Sequence, residues 1–532
     1  MKRYSISLCL VFLLALAGCE PDVTDPTSSG QSGSDSTTVV TPTDSTTTVD
    51  PDTTQTFTEG LSIVWSGSTA TVSGNVEGVS VTSNSNGYVV ITSTVKSVRY
   101  TLSGSGNGQF KLYSDYKYEL LLSDLTLVCS DGPAINSQCK KSGYISLSGT
   151  NSLTDGSTYA TSDEDQKAAL FSEGQLFFSG AGSLTIKGNS KHAIASDDYI
   201  YFQSGLGTLN LTAASDGIHA NDGIYFQGGT FSISAGEDGV QCDSIITVND
   251  GAITVTKAGD KGIVCDYDLT VTGGTIRISS DYKCIKTLTN LAISGGDIQV
   301  ICNGTSSGGG GRGGWGSSSD NSSPEGIEAK GTITITGGYV YAQANDDAIN
   351  SGGDFTISGG CVCAYSTGND GLDANGNCYI QGGLVYAIGA SSPEVAIDAN
   401  SEERKQLYVQ GGTLVAVGGL ESGASLTQTC YQASGSANTW YALVVGNDTF
   451  AFKTPSSNAS TLVVSGASQP ALYKSVTPSG TAIFNNMAYF PASYSGGSSV
   501  SLSTYSGSSG GGPGGGGGPG GGGGGGGRPG GW

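Results

Sequence analysis

DGIHANDGIYFQGGTFSISAGEDGVQCD, residues 216–243, contains the reading that decides the fold. Asp216-Gly217-Ile218 returns 22 residues later as Asp238-Gly239-Val240. Between the two, apolar side chains alternate on both sides of Gly228-Gly229. Alternation at period two is a strand signal, and a glycine pair marks a bend between strands. One such unit is a short strand at the acid-Gly-Ile element, then strand, corner and strand.

The unit recurs in both directions. It appears as His192-Ala193-Ile194, Lys261-Gly262-Ile263, Lys283-Cys284-Ile285, Glu325-Gly326-Ile327, Asp347-Ala348-Ile349, Asp370-Gly371-Leu372 and Val395-Ala396-Ile397. With the first two elements, the steps are 24, 22, 23, 22, 42, 22, 23 and 25 residues. The long step holds a Gly/Ser-rich insert, residues 303–323. So regular a period defines a repeat architecture. Parallel stacking of these units, with turns about 4.8 Å apart, predicts an all-β chain folded as a right-handed parallel β-helix. The Ile, Val or Leu of each element points inward and the glycine is expected to make the corner. Asp131-Gly132-Pro133-Ala134-Ile135 reads as a degenerate earlier turn. The solenoid is expected over residues 57–420, with residues 421–503 as a β-rich C-terminal cap over its open end.

The flanks differ in composition. Lys2 and Arg3 precede an apolar run that ends in Leu16-Ala17-Gly18-Cys19. The run is too short to span a membrane, and it reads as a removable targeting segment, residues 1–19. It resembles a bacterial lipoprotein signal, which implies a lipid on Cys19. Glu20 and Asp22 then fit passage to the outer membrane and exposure at the cell surface. Residues 20–56, rich in Thr, Ser, Asp and Pro, read as a flexible linker, and the glycine-rich residues 504–532 as a disordered tail.

Charge narrows the function. The 532 residues carry 45 acids against 23 bases, a net charge of −22, which argues against nucleic acid as a partner. With two histidines in all, His192 and His219, neither His-based catalysis nor a zinc site is expected.

In a parallel stack the acids fall into ladders. One holds Asp216, Asp238, Lys261, Lys283, Glu325, Asp347 and Asp370. The other holds His219, Gln241, Val264, Lys286, Glu328, Asn350, Asp373 and Asp398. Like charges one turn apart repel by about 1 kcal/mol in water and about 3–4 at an effective dielectric of 20. A cation between turns relieves this, and clustered carboxylate and amide oxygens suit calcium. The expected calcium ligands are Glu325, Glu328, Asp347, Asn350, Asp370 and Asp373, with Asp216 and Asp238 as a second candidate group. The alternative for an Asp before Gly is simple turn formation.

The run ALFSEGQLFFSGAGSLTI (residues 169–186), the repeated acid-Gly-Ile and Gly-Gly-Thr elements, the insert with Trp315 and the glycine-rich tail together resemble one family. It is that of bacterial carbohydrate-binding, calcium-binding β-helix lipoproteins with a polysaccharide-lyase-like fold. The resemblance implies binding of an extracellular, cellulose- or pectin-like polysaccharide. On that implication Tyr201, Tyr225, Tyr339, Tyr341 and Tyr386, all outward by alternation, are the candidate sugar-stacking rings, with Trp315 and Arg312 on the insert. Ordinary wet-face residues are the alternative. A calcium-dependent lyase would need a base, and Lys261, Lys283 and Lys286 are the candidates. Charge balancing explains them better, because none lies amid the densest acids. A structural adhesin or spacer is the third reading. The cysteines leave pairing open, although Cys242 and Cys265 hold equivalent positions on adjacent turns.

Overall fold

In the computed structural model, the described residues are 55–305 and 323–507. Cys19, Arg312 and Trp315 therefore lie outside them, as do nearly all of the linker and the tail.

The described chain winds as stacked parallel strands. The acid-Gly-Ile elements form one ladder of short strands, including His192–Ser196, Ile218–Ala220, Val240–Cys242, Lys261–Cys265, Lys283–Thr287, Ile327–Ala329, Ile349–Ser351 and Leu372–Ala374. Each pairs in parallel with the next, and isolated bridges carry the ladder on through Ile397 to Leu420. The branched residue of every element, from Ile194 to Leu372, is fully buried. Asp131–Ile135 is the earlier turn it resembles, since Ile135 pairs with Leu170 and Leu170 with Ile194. Two further ladders complete each turn, as in Leu269–Val271 and Thr275–Ser280. At Gly223–Ala235 and Ile245–Lys257 the two join without a break across the bend.

The glycines work differently at the two places. The second glycine of the pair takes the left-handed backbone, φ +78° at Gly274 and +88° at Gly296, as a bend requires. The glycine after the acid does not make its corner that way. A Cβ on Gly217 would lie 2.4 Å from Ile233 Cγ2 and 2.6 Å from the carbonyl oxygen of Gly239. It is small because the interior is crowded.

Antiparallel pairs close the start of the solenoid: Thr58–Gly67 with Thr69–Ser73, and Val79–Ser83 with Tyr88–Ser93. At the other end, parallel pairing runs on to Ser425–Leu426. Thr461–Ser465 then pairs antiparallel with Thr413–Val417 and with Cys430–Ser434. Trp440–Val445, Asp448–Lys453, Ala471–Ile483 and Ala488–Val500 form a closed barrel. The barrel does more than cap the end. Its Tyr441, Phe450 and Phe452 share a second core with Tyr341, Cys363, Tyr386 and Val415 on the outer side of the solenoid. The ten described cysteines are all free thiols, and Cys242 and Cys265 are aligned neighbours.

Candidate functional site

The parallel register brings the two acid-bearing ladders side by side. His219, Gln241, Val264, Lys286, Glu328, Asn350 and Asp373 are successive Cα partners. The residue before the glycine lies next to them, so each turn contributes two outward groups.

The acid of the first ladder has a structural task. The Asp238 N–H donates to Asp216 Oδ1 at 3.0 Å, and the Lys261 N–H donates to Asp238 Oδ1 at 2.7 Å. The Asp370 N–H donates to Asp347 Oδ1 at 3.1 Å, and the Val395 N–H to Asp370 Oδ1 at 2.5 Å. Each carboxylate thus caps a backbone donor of the following turn, which the break in strand pairing leaves without a carbonyl. This is not the local turn that Asp-Gly implies, because the bond runs between turns. It uses one carboxylate oxygen and leaves the other outward.

In the middle turns, lysines neutralise the acids. Lys283 bonds Glu325 and lies 3.0 Å from Glu328 Oε2, with all three side chains at most 5% exposed. Lys330 grips the other oxygen of Glu328, and Lys286 lies 3.8 Å away. Burial opposes ionisation of Glu328, but Lys283 and Lys330 outweigh it and hold its carboxyl below the usual range. Glu325 is pushed up to about 7 by burial despite Lys283. The two glutamates expected to ligate metal are therefore engaged by lysine. Lys283 itself stays protonated, since its glutamates outweigh the cost of burial, and Lys261 bonds Asp260 Oδ2 at 2.5 Å. A catalytic base needs a free amine, and Glu325 and Glu328 hold Lys283 as a cation.

The next turns carry no such compensation. Among the described residues no ion pair involves Asp347, Asp370, Asp373 or Asp398. Burial, then Asp373 and Asp346, push Asp347 far above the usual carboxylate range. Burial, with Glu394 and Asp373 adding to it, pushes Asp370 up to about 7. Asp373 rises to about 6 through burial and is in hydrogen-bond contact with Asp347. Asp398 rises to about 9 through burial and a contact with the Glu421 carboxyl. The sequence offers Asn350 as an oxygen ligand. It instead turns its amide nitrogen to the acids, 3.0 Å from Asp347 Oδ2 and 3.2 Å from Asp373 Oδ2. Asp398, the last member of the second ladder, joins the cluster, and Asp346, Glu394 and Glu421 join it from outside the ladders. Glu394 has a signal in the sequence, since it stands one residue ahead of Val395, where the acid of the element belongs.

At the second candidate group, Asp216 meets two imidazoles. His192 Nδ1 lies 3.0 Å and His219 Nδ1 3.2 Å from Asp216 Oδ2. Asp238 is pushed up to about 7 by burial, with Lys261 opposing.

The tyrosines divide into three groups. Tyr341 and Tyr386 are at most 1% exposed, because the barrel covers their side of the solenoid. Tyr386 Oη donates to the carbonyl of Lys453 at 2.7 Å. Neither ring can meet a sugar. Tyr201 and Tyr225 belong to a continuous run of rings with Tyr144 and Phe177, with centroids 4.9–6.0 Å apart. Neighbouring rings occupy much of the surface that a sugar would stack on. Tyr339 alone of the five is widely open, at 47% exposure. It borders a cleft with Asp297, Gln299 and, from the end of the barrel strand Ala471–Ile483 and the turn after it, Thr481 and Phe484.

No curated protein matches the chain. Among solved structures, a polysaccharide lyase-like protein from C. thermocellum, determined as a gadolinium derivative, is similar at 23% identity. The match covers 52% of this chain and 96% of that one, with a TM-score of 0.38. The family model for a carbohydrate-binding domain-containing protein matches residues 85–371, more than half of the chain. That span runs from the first turns to the acid-Gly-Leu element at Asp370, and by it the chain belongs to this carbohydrate-binding domain family.

Proposed function

We propose that the protein binds an extracellular polysaccharide of cellulose- or pectin-like kind without cleaving it, and that calcium in the acidic turns is required. One observation carries the calcium reading. Two pairs of carboxyl groups, Asp347 with Asp373 and Asp398 with Glu421, are in direct contact. Such contact needs a shared proton or a cation. The donors are all oxygens, which fits calcium's preference for 6–8 hard ligands. Asp347, Asp370, Asp373 and Asp398 would hold it, with Glu394 and Glu421 beside them. A bound calcium supplies positive charge on a chain of net charge −22. That lets hydroxyl or carboxylate oxygens of a glycan approach. Tyr339 offers a ring to a sugar face, with Gln299 next to it for hydroxyls.

The ion pairs of Lys261, Lys283 and Lys286 support binding without elimination. A glycan array run with calcium and with chelator tests all of this. Retention that needs calcium and releases no unsaturated product is expected. Unsaturated product would make the protein a lyase, and no retention on any glycan would leave a structural spacer or adhesin. Anchoring through a lipidated Cys19 at the bacterial outer membrane completes the proposal. Cys19→Ala should move the protein from the membrane fraction to the soluble one.

A further inference from the structure

We infer that His192, Asp216 and His219 form a second metal site, separate from the acidic turns and selective for a zinc-class divalent transition ion. The chain's only two histidines, 27 positions apart, are brought onto adjacent turns. Their rings stack at 4.6 Å and 24°, and both direct Nδ1 toward the same oxygen of Asp216, a carboxylate 2% exposed. The three donor atoms lie within 4.8 Å of one another.

The ring nitrogens converge on one carboxylate oxygen, with His192 Nδ1 3.0 Å and His219 Nδ1 3.2 Å from Asp216 Oδ2. A proton on one ring would hydrogen-bond that oxygen to one imidazole. A metal ion in place of the proton would engage both Nδ1 lone pairs and the carboxylate at once, with both rings neutral and the Asp216 N–H released from His192 Nδ1. Placed about 2.1 Å from each donor, it would see N–O separations of this size at about 90–100°. Asp216 Oδ1 is already fixed by the Asp238 N–H, which orients the free oxygen. Gln241 on the next turn hydrogen-bonds His219, the kind of outer contact that holds a ligating ring. Two imidazoles and one carboxylate favour zinc-class ions over calcium, which takes oxygen. The histidine side chains are partly exposed, at 17% and 16%.

The test is Co²⁺ titration of the full chain in excess calcium, followed by visible absorption and by displacement with Zn²⁺. One saturable ion per chain, unaffected by calcium, is expected. His192→Ala, His219→Ala and Asp216→Asn should each lose it while keeping the calcium-dependent shift in melting temperature, which shows that they are folded. The inference is overturned if wild type binds no Co²⁺ under these conditions, if calcium displaces it, or if both histidine variants bind it unchanged. Should a variant lose its calcium response as well, Zn²⁺ protection of wild-type histidines from diethyl pyrocarbonate decides. Protection supports the site and equal modification with and without Zn²⁺ sinks it.

Discussion

Between Lys261 and Lys330 the ladder's acids are met by lysines; between Asp346 and Glu421 they are met by one another. The parallel register continues from one stretch into the other, while the ladder strands shorten from five residues at Lys261–Cys265 and Lys283–Thr287 to three from Ile327–Ala329 on. The contrast in charge lies in the side chains. The first stretch is neutralised from within and should be indifferent to the solution around it. The second has left its neutralisation to protons or cations, so its stability is set by what the solvent supplies.

The largest effect should come from breaking the internally neutralised stretch. Lys283→Ala strands two buried glutamates and should cost about 3–5 kcal/mol in chemical denaturation. Glycan retention per folded molecule should stay intact, because Lys283 is read as a counter-charge. A cost no greater than the ~1 kcal/mol of an exposed pair would dissolve the contrast between the stretches.

Next comes the metal. Calcium at a hundredfold over its Kd should stabilise the fold by about 2.7 kcal/mol, and magnesium by less. The melting temperature with calcium and with chelator measures this. Asp347→Ala combined with Asp373→Ala should abolish most of the response, and the exposed Asp163→Ala should not. A wild-type melting temperature that ignores chelator removes calcium from the account.

The pH dependence should be of unusual sign. Asp370, Asp373 and Asp398 have folded values of about 7, 6 and 9. Their unfolded values lie near ~4. They hold protons in the folded state that the unfolded chain has released, so their contribution is greatest below pH ~4 and declines as pH rises through 6 to 9. Chelated protein should therefore melt higher at pH 5.5 than at pH 8, and calcium should flatten the difference. His219, raised by Asp216 against the cost of burial, acts in the same direction, so Asp398→Asn is the control. If this variant keeps the full slope, the acidic turns are not its source.

The smallest effects separate recognition from scaffold. Tyr339→Ala should weaken glycan retention by about 0.5–1.5 kcal/mol, the scale of one ring contact, without moving the melting temperature. Tyr386→Phe should do the reverse, costing about 1 kcal/mol of stability through its hydrogen bond and leaving retention alone. Equal retention by Tyr339→Ala and wild type would take the cleft beside Tyr339 out of the glycan-binding surface.

Periodicity alone recovered the solenoid and its register, because each acid-Gly-Ile element aligns one inward residue and two outward ones. The aligned pairs from His219 to Asp373 are those expected. Period, however, says which side a residue faces and not what comes to cover it. Tyr341 and Tyr386 face outward as expected, and the non-repeating barrel then buries them. Glu325 and Glu328 share the ladders of the later acids because a ladder shows position, while the reach of Lys283 across turns and of Lys330 along its own turn is a side-chain property. Adjacent turns bring both histidines against one carboxylate, a juxtaposition that a count of histidines does not show.

Because each capping carboxylate accepts from the turn after it and never from the turn before, winding of this chain has a direction. A solenoid stopped after Asp216 or Asp347 ends in an acid still waiting for its donor. Its bare edge then displays negative charge where unpaired strand groups would otherwise recruit a neighbouring chain. Half-wound copies should repel one another end to end, and arrival of the next turn converts that repellent end into a seal.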